Sequence, residues 1–193
     1  LVRSMIFARL LMPEDFGILS LATVFTQFVL IFANFGVASS VIYHKQLTKN
    51  DLSTCWWGNM LIDGTAALAC IVIALISSHT SGDQAVAHVV GLLALQFVIS
   101  GFGSINLALM KRQFMFKQIA ISNFSNALFT FLLGWFFVGV FDLGIYGLCL
   151  GMIGGSLSMT LMNFAYLPWF PSFIFSRDSL KKHLSYGRWF FGV

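Results

Sequence analysis

Residues 84–110 read QAVAHVVGLLALQFVISGFGSINLALM, and none of them is Asp, Glu, Lys or Arg. An apolar run of this length is long enough to cross a bilayer as a helix, which takes about 20 residues. Three further uncharged runs occupy residues 16–42, 118–141 and 143–176, and another run, residues 56–78, contains one charge. We therefore predict five complete membrane-spanning helices.

The composition of the whole chain also indicates a membrane protein. Of its 193 residues, 58% are hydrophobic and 9% are charged, whereas soluble domains carry about 25% charged residues. Too few polar residues remain to cover the surface of a soluble protein, so lipid must be the solvent for much of the chain. The predicted fold is an all-α, polytopic transmembrane helix bundle. With an incomplete span at each end, the expected spans are residues 1–12, 16–42, 56–78, 84–110, 118–141, 143–167 and 186–193.

The basic residues predict the orientation of this bundle. Nine of the 11 Lys and Arg residues fall in three connecting segments, at residues 43–55, 111–117 and 177–188. Connections rich in Lys and Arg stay on the cytoplasmic side of a membrane. The opposite connections carry acids such as Asp83 and Asp142. This distribution accounts for the net charge of +4 without a nucleic-acid partner.

Three charged residues are predicted to lie within the membrane. Asp63 is seven residues into its span, or about 10 Å of helix rise, and should face the bundle interior or a water-filled cavity. A structural ion pair, or a protonated Asp63 near the interface, is an equally good interpretation. Arg3 falls near mid-bilayer, where it is placed to attract an anionic substrate group such as a phosphate, or to pair with a carboxylate. Arg9 is closer to the interface and can snorkel towards water.

Neutral amides are further candidates for a substrate cavity, and we single out Asn34 and Asn126. Amides both donate and accept hydrogen bonds, which suits the hydroxyl groups of sugars. For any single amide, a hydrogen bond between helices is the commoner role. The other amides within or near the spans are Gln27, Asn59, Gln96, Asn106, Asn123 and Asn163.

Gly147, Gly151 and Gly155 recur at every fourth position of the sixth span. Small residues at this spacing let two helix backbones approach closely, so we interpret them as helix-packing residues. The alternative is that this face slides against its neighbour during a transport cycle. The sequence does not separate these two interpretations.

The sequence carries no pattern typical of catalysis or of cofactor binding. It lacks G-x-S-x-G, H-E-x-x-H and the phosphate-binding glycine loop, which mark hydrolases, zinc enzymes and nucleotide sites. Cys55, Cys70 and Cys149 are isolated and have neither metal-ligand nor disulfide spacing. We therefore predict no catalytic residue, no metal site and no cofactor, and we interpret the protein as a non-enzyme.

Four short segments occur in an order and at a spacing that are typical of one family. They are ARLLMPEDFG at residues 8–17, FGVASSVI at 35–42, LTKNDLST at 47–54 and RQFMFK at 112–117. Together they resemble the bacterial polysaccharide and O-antigen flippases, which are Wzx-like lipopolysaccharide biosynthesis proteins of the multidrug/oligosaccharidyl-lipid/polysaccharide exporter superfamily. The resemblance covers the first two-thirds of the chain. Arg9 matches a motif arginine of that family.

The resemblance implies a helical protein of two lobes, in which residues 1–193 would form most of the N-terminal lobe. It implies the movement of lipid-linked oligosaccharide repeat units from the cytoplasmic to the outer leaflet of the bacterial inner membrane, for surface polysaccharide biosynthesis. The partners implied are this substrate, membrane lipid and other polysaccharide assembly proteins.

Two other functions stay open on the sequence alone. A cation-coupled multidrug exporter of the same superfamily would use an intramembrane acid such as Asp63 to bind its coupling ion. A membrane-embedded glycan or lipid transferase would need acidic or His clusters where a loop meets the membrane, and the sequence shows none.

Overall fold

The computed structural model describes residues 13–34, 41–42, 48–80 and 84–172, and every regular element in these ranges is a helix. The predicted all-α class is therefore confirmed. Four of the helices are long and apolar enough to cross a membrane, so the fold is a polytopic helix bundle. The predicted partial spans at the two ends lie outside the described residues. The described helices of more than 20 residues are α1 (Pro13–Asn34), α2 (Lys49–Thr80), α3 (Gln84–Arg112), α4 (Phe116–Gly139) and α5 (Gly144–Tyr166). Helices α2 to α5 are the four that are long and apolar enough to cross a membrane.

Helix α2 begins seven residues before the apolar run at residues 56–78. The reason is a cap at its first turn: the Thr48 hydroxyl accepts a hydrogen bond from the Asp51 N–H at 3.2 Å, and the Asp51 carboxylate accepts one from the Thr48 N–H at 3.0 Å. Such reciprocal bonds satisfy backbone donors that a helix start leaves open. Asp63 lies 14 residues after the first residue of the helix, which is about 21 Å along the helix axis.

Helix α1 starts at Pro13, with Glu14 and Asp15 in its first turn. A proline is favoured at a first helical position because its missing N–H would have no partner there, and acids in the first turn interact well with the helix dipole. The helix is described as far as Asn34. The rest of the predicted span at residues 16–42 is described only at residues 41–42.

Helix α3 lies at the centre of the bundle, in contact with α2, α5 and α1, while α4 packs mainly against α5. The outer surface is apolar and the interior is partly polar, which is the reverse of a soluble protein and fits a lipid solvent. Exposed apolar side chains recur every three to seven residues along the outer faces of α2 and α4, as the helical period requires. They include Leu61, Leu68, Val72 and Leu75 on α2, and Phe124, Leu128, Leu132 and Trp135 on α4.

Residues 167–172, which we call the strap, follow α5 and lie against α2 and α3. The side-chain amide of Asn106 on α3 donates a hydrogen bond to the Leu167 carbonyl at 2.8 Å. The Ser172 N–H donates to the Ser53 hydroxyl of α2 at 3.0 Å. These bonds fix the exit of α5 against the ends of two helices that come much earlier in the chain.

Candidate functional site

The five helices surround a cavity of about 320 Å³, and each of them contributes to its wall. Twelve of its 18 lining residues are polar. Polar side chains inside a bundle that crosses lipid are costly unless they are paired or serve a function, so this cavity is the candidate site. Its polar lining residues are Thr23, Thr26, Gln27, Asn59, Asp63, Gln96, Ser100, Ser104, Asn126, Ser156, Thr160 and Asn163.

Asp63 is the ionisable residue of the described cavity wall, and its side chain is only 7% exposed. Its Oδ2 atom accepts a hydrogen bond from the Asn59 amide at 2.6 Å. The same amide donates to the Ser104 hydroxyl of α3 at 2.9 Å, and that hydroxyl donates to the Gly101 carbonyl at 2.8 Å. A chain of hydrogen bonds therefore holds the carboxylate between α2 and α3.

Gly101 makes room for this carboxylate. A Cβ atom added to Gly101 would lie 2.5 Å from Asp63 Oδ2, closer than van der Waals contact permits. The absence of a side chain lets the backbone of α3 approach Asp63 directly, which is a position where glycine is the residue that fits. The position of the acid is thus set by α3 as well as by its own helix.

Helix α5 forms another part of the cavity wall. The Thr160 hydroxyl donates a hydrogen bond to the Ile99 carbonyl of α3 at 3.1 Å, and a Cβ atom at Gly103 would come within 3.2 Å of the Thr160 methyl. One turn further along, Asn163 is 2% exposed, and its Oδ1 atom has no hydrogen-bond partner among the described residues. Buried acceptors are rarely left unpaired, and this one belongs to a residue of the cavity wall.

The structure places two of the predicted cavity residues, Asp63 and Asn126, in the wall of the cavity. Arg3 and Arg9 lie outside the described residues, and so does the side chain of Asn34 at the end of α1. Among the described lining residues there is no Lys, Arg or His. The cationic character that the sequence predicts for the cavity therefore stays a prediction that rests on the two arginines.

The other amides divide between the cavity and the rest of the bundle. Four of them line the cavity, whereas Asn106 binds the strap and Asn123 is exposed. The hydroxyl side chains of the wall could not be singled out from the sequence, because Ser and Thr in apolar helices commonly bond to their own backbone and give no distinct signal. The amides in the wall besides Asn126 are Gln27, Asn59, Gln96 and Asn163.

The glycines of α5 lie against the backbone of α4. A Cβ atom at Gly151 would lie 2.7 Å from the Gly134 nitrogen, and one at Gly155 would lie 2.7 Å from the Asn126 carbonyl oxygen. Gly147 approaches the same helix one turn earlier, 3.0 Å from the Phe137 carbonyl carbon. This close contact brings α4, and with it the side chain of Asn126, to the cavity.

The comparison with family models gives one match that covers nearly the whole chain. Residues 6–193 match the model for the family described as polysaccharide biosynthesis protein. No solved structure matches the chain.

Three curated bacterial proteins are similar to the chain. It is 26% identical to the lipopolysaccharide biosynthesis protein WzxC of Escherichia coli K12, over 98% of this chain and 39% of WzxC. It is 30% identical to a membrane protein in the cps region of Klebsiella pneumoniae, over 64% of this chain and 26% of that protein. It is 24% identical to the succinoglycan biosynthesis transport protein ExoT of Rhizobium meliloti, over 97% of this chain and 37% of ExoT. The chain therefore spans about two-fifths of these relatives, or less.

The apolar helices and these matches agree on the cellular location of the protein. It is a multi-pass protein of the bacterial inner membrane. The resemblance that the sequence motifs indicate is confirmed by a family model that matches from residue 6 onwards. The chain belongs to the polysaccharide biosynthesis protein family.

Proposed function

We propose that this protein moves lipid-linked oligosaccharide repeat units from the cytoplasmic to the outer leaflet of the inner membrane, for surface polysaccharide biosynthesis. The observation that carries the proposal is the polar cavity inside a bundle of membrane-spanning helices. An oligosaccharide loses its hydration when it enters a bilayer, and each unpaired hydroxyl then costs free energy. Amides and hydroxyls on the cavity wall offer both donors and acceptors to replace that water.

The cavity also suits a substrate that is only partly polar. In the proposed mechanism the glycan occupies the cavity while its lipid tail stays in the surrounding bilayer, against the apolar outer faces of the helices. The wall is then exposed to the two sides of the membrane in turn, by movement of this bundle against the rest of the full-length protein. Substrate sites near the membrane midplane, between two such halves, are common in transporters.

Translocation of this kind makes and breaks no covalent bond in the substrate, so the protein acts as a transporter and not as an enzyme. Its residues bind the glycan and exclude lipid from it. The pyrophosphate of an undecaprenyl-linked repeat unit would need a cationic contact, and Arg3 and Arg9 are the residues of this chain that we assign to it.

A strain that lacks the full-length gene tests this function. We expect surface polysaccharide to be lost while complete lipid-linked repeat units accumulate facing the cytoplasm, because translocation is then the missing step. Restoring the gene should reverse both effects. If repeat units are never completed in the deletion strain, the protein acts in synthesis and the proposal is wrong.

A cation-coupled exporter of small molecules is the second candidate. Asp63 favours it, because the described cavity wall has one acid and no basic residue. In that case the deletion strain keeps its normal surface polymer and becomes more sensitive to drugs. Measuring polymer and drug sensitivity in the same strain therefore separates the two functions.

A further inference from the structure

We propose that the turn between α3 and α4 binds the headgroup of an anionic phospholipid, on the side of the membrane that the basic residues predict to be cytoplasmic. Four exposed residues of this turn form the site, and we call them the turn patch: Lys111, Phe114, Phe116 and Lys117. None of them lines the polar cavity. The inference does not rest on the proposed function, and lipid binding can be measured without a transport assay.

Backbone hydrogen bonds hold the turn patch together. The Phe114 N–H donates to the Lys111 carbonyl at 3.1 Å, and the Phe116 N–H donates to the Phe114 carbonyl at 2.8 Å. A third bond runs from the Met115 N–H to the Met110 carbonyl at 3.0 Å. Since Lys117 directly follows Phe116 in the chain, both lysines and both phenylalanines belong to one compact turn.

The two phenylalanine rings of the turn patch are exposed. Phe114 is 77% exposed and Phe116 is 62% exposed, and their ring centroids lie 5.9 Å apart in an edge-to-face arrangement. The turn joins two helices that are long and apolar enough to cross a membrane, so it lies at the membrane surface. Apolar rings at this level can enter the boundary between headgroups and acyl chains.

The backbone of Phe114 indicates that its ring has a function. Its φ angle is 55°, a left-handed conformation that costs a bulky residue free energy and that glycine or asparagine adopts more readily. Strained backbone positions of this kind are often found where a protein binds a ligand. A ring held at a position that favours glycine is explained if the ring contacts lipid.

Positive charge lies directly beside the rings. Lys111 and Lys117 are exposed, and no described residue forms an ion pair with either of them. Arg112 differs from them, because it is half-buried and donates a hydrogen bond to the Val41 carbonyl at 3.0 Å. Helix α4 also begins without a side-chain cap, so the N–H groups of its first turn add to the positive potential. A phosphate complements this charge.

The turn at the other end of α4 lacks this combination. It also exposes apolar side chains, since Val140 is 60% and Phe141 is 58% exposed. Its charged residue, however, is Asp142, and residues 140–143 include no Lys or Arg. An anionic headgroup would be repelled there. Both turns expose apolar groups to lipid, and charge selects the turn between α3 and α4 for an anionic lipid.

The phosphate could belong to a phospholipid or to the lipid-linked substrate, and the position of the turn patch favours a phospholipid. A diphosphate attached to a glycan in the cavity has to be reached from the cavity. The turn patch is exposed, and none of its residues lines the cavity wall. A phospholipid of the surrounding bilayer reaches it without entering the cavity.

The test uses the full-length protein in phosphatidylcholine vesicles, with a fluorophore attached to Gln113→Cys, an exposed position of the same turn. Spin-labelled phosphatidylglycerol or spin-labelled phosphatidylcholine, with the nitroxide at the same acyl position, quenches the fluorophore when it binds nearby. The signal is corrected for labelling of the protein without the added cysteine. Each lysine near the surface favours an anionic lipid by about fivefold, so we expect a preference for phosphatidylglycerol of roughly tenfold or more. A fluorophore at Val140→Cys, on the other turn, should report no preference.

Variants of the turn patch identify the groups that bind. We expect the double variant Lys111→Gln/Lys117→Gln to lose the preference and Lys111→Arg/Lys117→Arg, which retains the charge, to keep it. Phe114→Asn retains a residue that tolerates the left-handed backbone and should weaken the quenching by phosphatidylglycerol, because only the ring is lost. Phe124→Ala, which removes an exposed ring further along α4, should leave the quenching unchanged.

Three results would overturn the proposal. The first is equal quenching by the two lipids in the unaltered turn. The second is a preference that persists in the glutamine double variant or that also appears at position 140, because the lysines then do not select the lipid. The third is complete displacement of spin-labelled phosphatidylglycerol by an equal amount of undecaprenyl diphosphate, because the site would then belong to the proposed substrate.

Discussion

At the scale of single residues, the contact between Gly101 and Asp63 lets the carboxylate of Asp63 occupy its place in the cavity wall. The two residues lie on different helices, and the carboxylate occupies the space that a side chain at Gly101 would take. From the sequence, an acid within an apolar span is recognisable as a residue that must face the interior. The partner glycine is not recognisable, because the apolar run of α3 contains three glycines and nothing in their spacing singles out Gly101.

Replacing Gly101 with alanine tests this contact. We expect Gly101→Ala to push the Asp63 side chain away from Asn59 and to lower the rate of transport by two- to tenfold, about the effect of one lost hydrogen bond. The measurement is the translocation rate per amount of folded protein in vesicles. The control is Gly91→Ala on the same helix, where an added Cβ atom meets nothing within 4 Å. Equal rates in the two variants would show that the contact has no role.

At the scale of helices, two contacts hold α5 in place: its glycine face against α4, and the strap against α2 and α3. Small residues at every fourth position are a local pattern, so the sequence alone indicates the close approach of α5 to a neighbour. The strap is different, because Asn106 and Leu167 are 61 residues apart and no local pattern pairs them. The first turn of α2 is polar and lies before the apolar run, and the cap at Thr48 shows where this helix begins.

Adding a side chain at a glycine of α5 that packs against α4 should lower the stability of the protein. At Gly151 the obstructing atoms belong to the backbone of α4, so the helices must move apart to admit a methyl group. We expect Gly151→Ala to lower the free energy of unfolding by about 1–3 kcal/mol, as overpacking does. Chemical unfolding in detergent measures this change in the free energy of unfolding. Gly64→Ala is the control, because its Cβ atom meets nothing within 4 Å; if it destabilises as much, backbone packing is not the cause.

Removing the Asn106 side chain, which is buried and hydrogen-bonded to the strap, should also lower the free energy of unfolding. Asn106→Ala leaves the Leu167 carbonyl without the hydrogen bond that it accepts at 2.8 Å. The Leu167 carbonyl keeps the bond that it accepts from the Trp169 N–H at 2.7 Å, so the loss of the Asn106 bond should lower the free energy of unfolding by about 0.5–1.5 kcal/mol. Asn123→Ala removes an exposed amide and should change little. Unaltered stability in Asn106→Ala would mean that the strap is held by other contacts.

At the scale of the whole molecule, the distribution of charge predicts how the bundle is oriented in the membrane. The turn between α3 and α4 carries Lys111, Arg112 and Lys117 near it, whereas the turn between α4 and α5 carries Asp142. The overall fold was predictable because uncharged runs of membrane length have few alternatives. The cavity was not predictable from the sequence, because it depends on which faces of five helices meet. The apolar runs have little helical amphipathicity that would indicate those faces.

Labelling of single cysteines tests the orientation. Lys111→Cys should react with a membrane-impermeant thiol reagent only when the cytoplasmic side is opened, and Asp142→Cys should react in intact cells. Both positions are exposed, while Cys55, Cys70 and Cys149 are buried, so these three cysteines should add little background labelling. If the cysteine at position 111 is labelled from outside intact cells, the bundle has the opposite orientation to the predicted one.

The central claim is that the polar cavity is the path of the glycan, and a bulky side chain placed in that cavity tests it most directly. Ser100 lines the cavity and is exposed, so we expect Ser100→Phe to narrow the cavity. Leu95→Phe enlarges an exposed apolar side chain of the same helix outside the cavity wall. The measurement is the translocation of lipid-linked repeat units by the full-length protein in vesicles. We predict a loss of at least tenfold for Ser100→Phe and a normal rate for Leu95→Phe, whereas a normal rate for Ser100→Phe would contradict the claim.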